Sequence, residues 1–276
     1  MNPRIPSLLV LASFALAAPA CRSSAPEASI AESGGESEGT LSAMGVSDQR
    51  IVLAVTDLVD VDIETFGGDV TVHGDSDDAT VSLERTGAFA WGRADEEKAS
   101  LGDIRYTVSL TRGADGRETI LVRAVTDNPE PYYQSCAVDV RVPKLGTVRV
   151  RSGRGRVEVV DNRGNFDIAT SRGKVRVMTP WKIEGPVAVV NDGDDIDIRV
   201  RGESEGLIDA ETRVGRVRSH IRFADYRILD EKNDEDTLIA ELNDGKKPWV
   251  IRNAHGDIDF SVIPEPVTPN PFAIAP

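Results

Sequence analysis

The sequence predicts an all-β fold, a repetitive parallel β-helix or β-solenoid of short strands in half-coil units of about nine residues, with one short helix near residues 94–101. Three observations carry that reading. Glycines recur at a step of nine, at Gly146, Gly155, Gly164 and Gly173, and after an insertion the unit returns at Gly185, Asp194, Gly206 and Gly215. Each anchor is followed by alternating outward and apolar residues, as in GTVRV, GRVEV, GNFDI, GKVRV, GPVAV and DDIDI, the period-two signature of a half-buried strand. Finally, with two units per coil every second strand falls on the same face, and the columns are consistent. One face stacks Val148, Phe166, Val187 and Ile208, and the other stacks Val157, Val175, Ile196 and Val217.

The outward row between the columns of the second face reads Glu158, Arg176, Asp197, Arg218, a ladder of alternating sign. Neighbouring strands lie about 4.8 Å apart, and opposite charges there contribute about 0.2–1 kcal/mol per pair. Only Ser219, in the last unit, breaks the apolar rule of the inner columns. Open ends of such a stack expose strand edges, so the N-terminal strands and the final NAHGDIDFSV strand are expected to act as caps, or to pair with another copy.

The start of the chain points to export. Arg4 precedes an apolar run from Leu8 to Ala18 that is too short to span a bilayer, so residues 1–20 read as a signal peptide. Cys21 follows Ala18-Pro19-Ala20 and resembles the acylated cysteine of a bacterial lipobox, which makes it the candidate lipid attachment site. Ala18 stands where lipoboxes usually carry Leu, and the same tripeptide also fits an ordinary A-x-A cleavage site. An acylated Cys21 would hold the protein on a membrane, each buried methylene contributing about 0.8 kcal/mol.

Residues 21–50 are rich in Ser, Gly, Ala and Glu and cannot bury enough apolar surface to offset their ordering entropy, so they read as a flexible tether. Residues 51–264 form the solenoid domain, and 265–276 a Pro-rich tail. With Cys21 acylated, Cys136 has no partner and is expected to be a small buried apolar residue.

The stretch from Cys136 to Val177 (CAVDVRVPKLGTVRVRSGRGRVEVVDNRGNFDIATSRGKVRV) resembles the bacterial putative-adhesin family, a domain of otherwise unknown function in which a VP step leads into repeated G-x-V-x-V…T-x-x-G units. AETRVGRVRS, NAHGDIDFSV and, upstream, VDIETFGGDVTVHG look similar, so the resemblance covers about Ile51 to Ile263. It implies a β-solenoid of the cell envelope and brings no catalytic centre, cofactor or metal site to carry over.

Two calcium motifs fail on inspection. The β-roll repeat needs G-G-x-G-x-D, and this chain lacks its second and third elements, leaving Asp192, Asp194, Asp195 and Asp197 as a solvated turn. The Asp75–Thr86 stretch has Thr80 where an EF-hand loop needs glycine. No enzyme motif is present: His73, His220 and His255 are scattered, and there is no zinc spacing, Walker loop or dinucleotide fingerprint. The expectation is a non-catalytic protein without cofactor. The competing reading is a polysaccharide-active β-helix enzyme, a lyase or glycosidase, with paired carboxylates in a cleft.

Charge supplies the functional lead. The chain carries a net −14, yet between Gly146 and Met178 eight basic residues face three acids. Some have an acid on the neighbouring unit, as Arg149 has Asp167 and Arg176 has Glu158, whereas Arg156 and Lys174 fall side by side with no acid between them. They are the candidate polyanion-binding residues. The expected partners are the membrane, through the lipid anchor, and an anionic envelope polysaccharide or a protein. Nucleic acid is excluded by the acidic body and the few aromatic residues.

Overall fold

The computed structural model describes residues 48–87, 95, 99–230 and 234–267. The expected signal peptide, Cys21, the tether up to residue 47 and the tail from 268 lie outside the described residues. In chain order the strands are β1 (Asp48–Leu53), β2 (Leu58–Thr65), β3 (Val70–His73), β4 (Ala79–Gly87), β5 (Ile104–Arg112), β6 (Glu118–Thr126), β7 (Gln134–Arg141), β8 (Lys144–Ser152), β9 (Val157–Val160) and β10 (Phe166–Thr170). They continue as β11 (Val175–Met178), β12 (Val187–Asn191), β13 (Ile196–Val200), β14 (Gly206–Thr212), β15 (Val217–Ile221), β16 (Tyr226–Ile228), β17 (Thr237–Leu242), β18 (Pro248–Asn253) and β19 (Ile258–Val262). Of the expected helix, Asp95, Ala99 and Ser100 are helical and run into a 3-10 turn at Leu101–Asp103; residues 94 and 96–98 lie outside the described residues.

The fold is all-β, with two large sheets. One has nine strands in the order β1-β4-β7-β3-β9-β11-β13-β19-β15, and the other ten in the order β16-β17-β14-β18-β12-β10-β8-β2-β6-β5. Consecutive strands such as β8 and β9, or β10 and β11, form a connected pair with one member in each sheet, and successive pairs are joined in parallel. Valine and isoleucine alternate inward on both sheets, so Val148, Val150, Val157, Val159, Ile168, Val175, Ile196 and Ile198 are all fully buried in one core between the sheets. Antiparallel strands flank this parallel stack, β4 with β1 and β5 at one end, β17 and β16 at the other.

The expected registers hold through the middle of the chain. Val148 pairs with Phe166, Val150 with Ile168, and Val157 with Val175, which pairs in turn with Ile196. Beyond that point the expected stack is corrected. Val187 does not neighbour Ile208, nor Ile196 Val217: Trp249 stands between the first two and Ile258 between the second two. The last strand pair of the chain, β18 and β19, is therefore inside the stack, and the NAHGDIDFSV segment is not a cap.

The physical reason lies in what each pair must cover. Trp249, Ile251, Ile258 and Phe260 are wholly buried and need apolar neighbours on both sides. The inner row of β15 reads Val217, Ser219, Ile221, which tolerates a sheet edge, and Ser219 is exposed there. Trp249 also needs room, which Gly206 provides, since a Cβ at that position would come within 2.5 Å of the indole.

The T-x-x-G element has a local cause. Thr65, Ser152, Thr170, Asn191, Thr212 and Asn253 end the strands of the ten-stranded sheet, all buried, and turn their side chains back onto backbone carbonyls of the corner. Three residues later the chain needs a left-handed conformation, with φ of 106° at Gly155 and 116° at Gly173. Asp194 fills the same place at φ 84°, which explains why it could stand for glycine in the repeat.

Candidate functional site

The basic residues singled out from the sequence sit where each chain segment enters the nine-stranded sheet. The registers place the residues preceding those strands in one row: Asp69, Arg156, Lys174, Asp195, Asp257, Arg216. Arg156 and Lys174 are thus adjacent, as expected.

The acids of this row have a structural task. One oxygen of Asp69 accepts the backbone N–H of Arg156 at 2.9 Å, Asp195 that of Asp257 at 3.0 Å, and Asp257 that of Arg216 at 2.9 Å. Each aspartate therefore caps the amide of the next strand pair. At Arg156 the rule is broken, because a guanidinium offers no acceptor to the amide of Lys174. Two cations occupy the row at the point where the repeat would place a capping carboxylate.

The turns leading into these strands read Arg154-Gly155-Arg156 and Arg172-Gly173-Lys174 and lie directly over one another, with the N–H of Gly155 donating to the carbonyl of Arg172 at 2.8 Å. Arg156, Lys174 and Arg176 line a shallow depression of about 520 Å³ together with Asp69, Asp194 and Asp195. Lys174 lies 3.7 Å from Asp195 with both side chains more than a third exposed, a contact worth at most about 1 kcal/mol in water and readily exchanged for another anion. Neither Arg156 nor Arg172 has an ion-pair partner among the described residues. Arg172 belongs to the site by position; the paired R-G-R and R-G-K sequences were the signal for it.

The other expected pairings are partly redrawn. Arg149 does face Asp167, at 3.8 Å, but Arg151 is closer to it at 2.5 Å. Arg176 is in register with Glu158, yet its ion pair is with Asp197 at 3.2 Å, and Arg199 also reaches Asp197, at 2.9 Å. Asp197 is buried and Glu158 is not, so the guanidinium goes to the carboxylate that has lost its water. Arg154 is no free cation. Its side chain lies across Gly67 and donates to the carbonyls of Pro131, at 2.5 Å, and Gln134.

Elsewhere, Cys136 is fully buried and burial pushes its thiol up to about 11, so it is a packing residue. Asp161 is held above the ordinary carboxylate range, first by burial and then by the Asp75 carboxylate. Next to it Arg163 stacks on the ring of Trp181, 3.5 Å from its centroid. A ring N–H of His255, at Nδ1, donates to the carbonyl of Asp192 in a turn, at 3.0 Å. Among the described residues no group of three or more His, Cys, Asp or Glu is placed to hold a metal, and no helix is long and apolar enough to cross a membrane.

No family model and no curated protein matches the chain. Among solved structures it is similar to the crystal structure of a putative cell adhesion protein from Clostridium sporogenes, at 10% identity and a TM-score of 0.55, over 78% of this chain and 99% of that one. At that identity the likeness is one of fold.

Proposed function

We propose that this protein is a non-catalytic, exported, lipid-anchored β-solenoid of the adhesin type, and that its basic corner binds anionic polymers of the cell envelope. One observation carries the reading. In a row where aspartates cap the next backbone amide, Arg156 and Lys174 replace that structural function with two adjacent, half-satisfied cations on a chain of net charge −14. A position that departs from the structural rule of its own repeat is where function is expected. The parallel stacking of strand pairs supports the solenoid, and the cell-adhesion description of the Clostridium sporogenes neighbour fits an adhesin-like role.

The test is binding of the full-length protein to isolated bacterial envelopes over a range of salt concentrations. Saturable binding that weakens with salt, and falls at least about tenfold in the Arg156→Glu, Lys174→Glu double variant, supports the reading. Binding that is independent of salt and of both residues removes the electrostatic site. The anchor is tested separately: Cys21→Ser should move the exported protein from the membrane to the soluble fraction.

A further inference from the structure

The basic corner has an aromatic neighbour. Between β6 and β7 the turn that would complete another T-x-x-G corner is replaced by a 3-10 turn at Pro131–Tyr133. It carries two tyrosines whose ring centroids are 4.3 Å apart at 45°, and Tyr132 is 58% exposed. Tyr133 is half-buried, and the backbone that carries both rings is fastened. Pro131 fixes the backbone at the first position of the turn, and Arg154 reaches across Gly67 to bind the carbonyls on either side of the tyrosines. Arg154 belongs to the same turn as Arg156, directly against the turn that holds Arg172 and Lys174. β7, β3, β9 and β11 follow one another in the sheet, so three steps of about 4.8 Å, about 14 Å in all, separate the strand that the tyrosine turn leads into from the strand that follows Arg172 and Lys174.

We infer that the tyrosine turn is an aromatic subsite of the basic corner and that the ligand is an acidic glycan, a polymer of sugar rings bearing carboxylate or sulfate groups. This rests on the reading of Arg156 and Lys174 given above. Cations alone would serve any polyanion. A rigid, exposed ring beside them serves only a polymer that also presents apolar faces, and the C–H face of a pyranose stacks on an aromatic ring while its acid groups reach the cations. Inorganic polyphosphate has no such face. A nucleic acid has one too, but successive bases call for successive exposed rings, and this turn exposes Tyr132 alone.

The experiment measures binding of the full-length protein to three probes at one salt concentration: an oligogalacturonate, an inorganic polyphosphate of matched charge and a single-stranded oligonucleotide. The expected result is preference for the oligogalacturonate. Tyr132→Ala should weaken it about tenfold, Tyr132→Phe should leave it within about twofold, and neither should change binding of polyphosphate. Equal binding of oligogalacturonate and polyphosphate with no effect of Tyr132→Ala overturns the aromatic subsite while leaving the cationic site in place. Tighter binding of the oligonucleotide overturns the choice of glycan. Binding of none of the three overturns the cationic site as well. Tyr132 is too exposed for its loss to unfold the protein, so these outcomes are readable.

Discussion

Trp249 lies in register between Val187 and Ile208, and its indole N–H donates to the carbonyl of Gly185 at 3.0 Å. β14 and β15 are joined in their sheets to β18 and β19, and not to β12 or β13, so the final strand pair of the chain is what ties the C-terminal antiparallel strands to the rest. Phe260 supports it from the other sheet, edge-on to the indole at 5.9 Å. Trp249→Ala is therefore expected to lower the free energy of unfolding by about 3–5 kcal/mol. Denaturant titration measures this, and hydrogen exchange should show β14 and β15 losing protection before β8 to β11. A loss under about 1 kcal/mol would mean that the indole is not an interior residue.

The left-handed corner column makes a second expectation. A Cβ on Gly173 would fall 2.2 Å from the carbonyl oxygen of Gly155, at a φ of 116° that L-residues avoid. Gly173→Ala should destabilise by more than about 2 kcal/mol. Asp194 holds the equivalent place and its carboxylate accepts the N–H of Asp195 at 2.8 Å. Asp194→Gly relieves about 1 kcal/mol of left-handed strain and loses a cap of similar size, so its stability should stay within about 0.5 kcal/mol of the parent. Asp194→Ala loses the cap without the relief and should be clearly less stable than Asp194→Gly. Parallel thermal melts of the three variants give the order.

Strand positions and the middle registers were legible in the sequence because period-two alternation and a fixed glycine step survive any tertiary context. The order of the strand pairs was not. Periodicity says that GDIDF is a strand like its neighbours, but the location of its pair depends on the volume of Trp249, the missing Cβ of Gly206 and the weak inner row at Ser219, three residues far apart in the chain. At the site, the adjacency of Arg156 and Lys174 followed from the repeat alone. The capping carried out by Asp69, Asp195 and Asp257 did not, because the sequence shows a charge and not which hydrogen bond it accepts. The tyrosine turn escaped for a similar reason, since only Arg154 laid over Gly67 connects it to the corner.

Glu118 sets an expectation for pH. It is nearly buried at the end of the β5–β6 hairpin, where the Arg112 guanidinium, first, and the backbone N–H of Thr56 hold its carboxyl below the ordinary value. A carboxylate lowered in the folded state contributes stability that is present above the unfolded value, in the ordinary glutamate range, and is lost as pH falls through the lower folded value. Stability should therefore decline on the acid side of the ordinary range, and Glu118→Gln should flatten that decline while lowering stability at neutral pH. Chemical denaturation of both proteins across that range checks the sign. An acid limb unchanged by the substitution would assign the decline to other carboxylates, Glu241 between Arg227 and Lys246 first among them.

The capping row also sets stability against binding at one residue. If Arg156 occupies a place that the repeat gives to a capping aspartate, then restoring the aspartate should improve the fold. Arg156→Asp supplies an acceptor to the amide of Lys174, as Asp195 does to Asp257 and Asp257 to Arg216. A second acid beside Asp69 is tolerable, because Asp195 and Asp257 already stand side by side on neighbouring strands and Lys174 would flank the new carboxylate. The expected gain is about 0.5–1.5 kcal/mol, the net value of one ordinary hydrogen bond. Binding of acidic polymer should fall in the same variant, since the cation is replaced by an anion. Opposite movements of melting temperature and affinity are the expected signature of a residue held for its ligand against the preference of the fold. Arg156→Asp melting lower than the parent would show that the arginine is the structurally preferred residue there, and would leave its cationic role resting on the binding data alone.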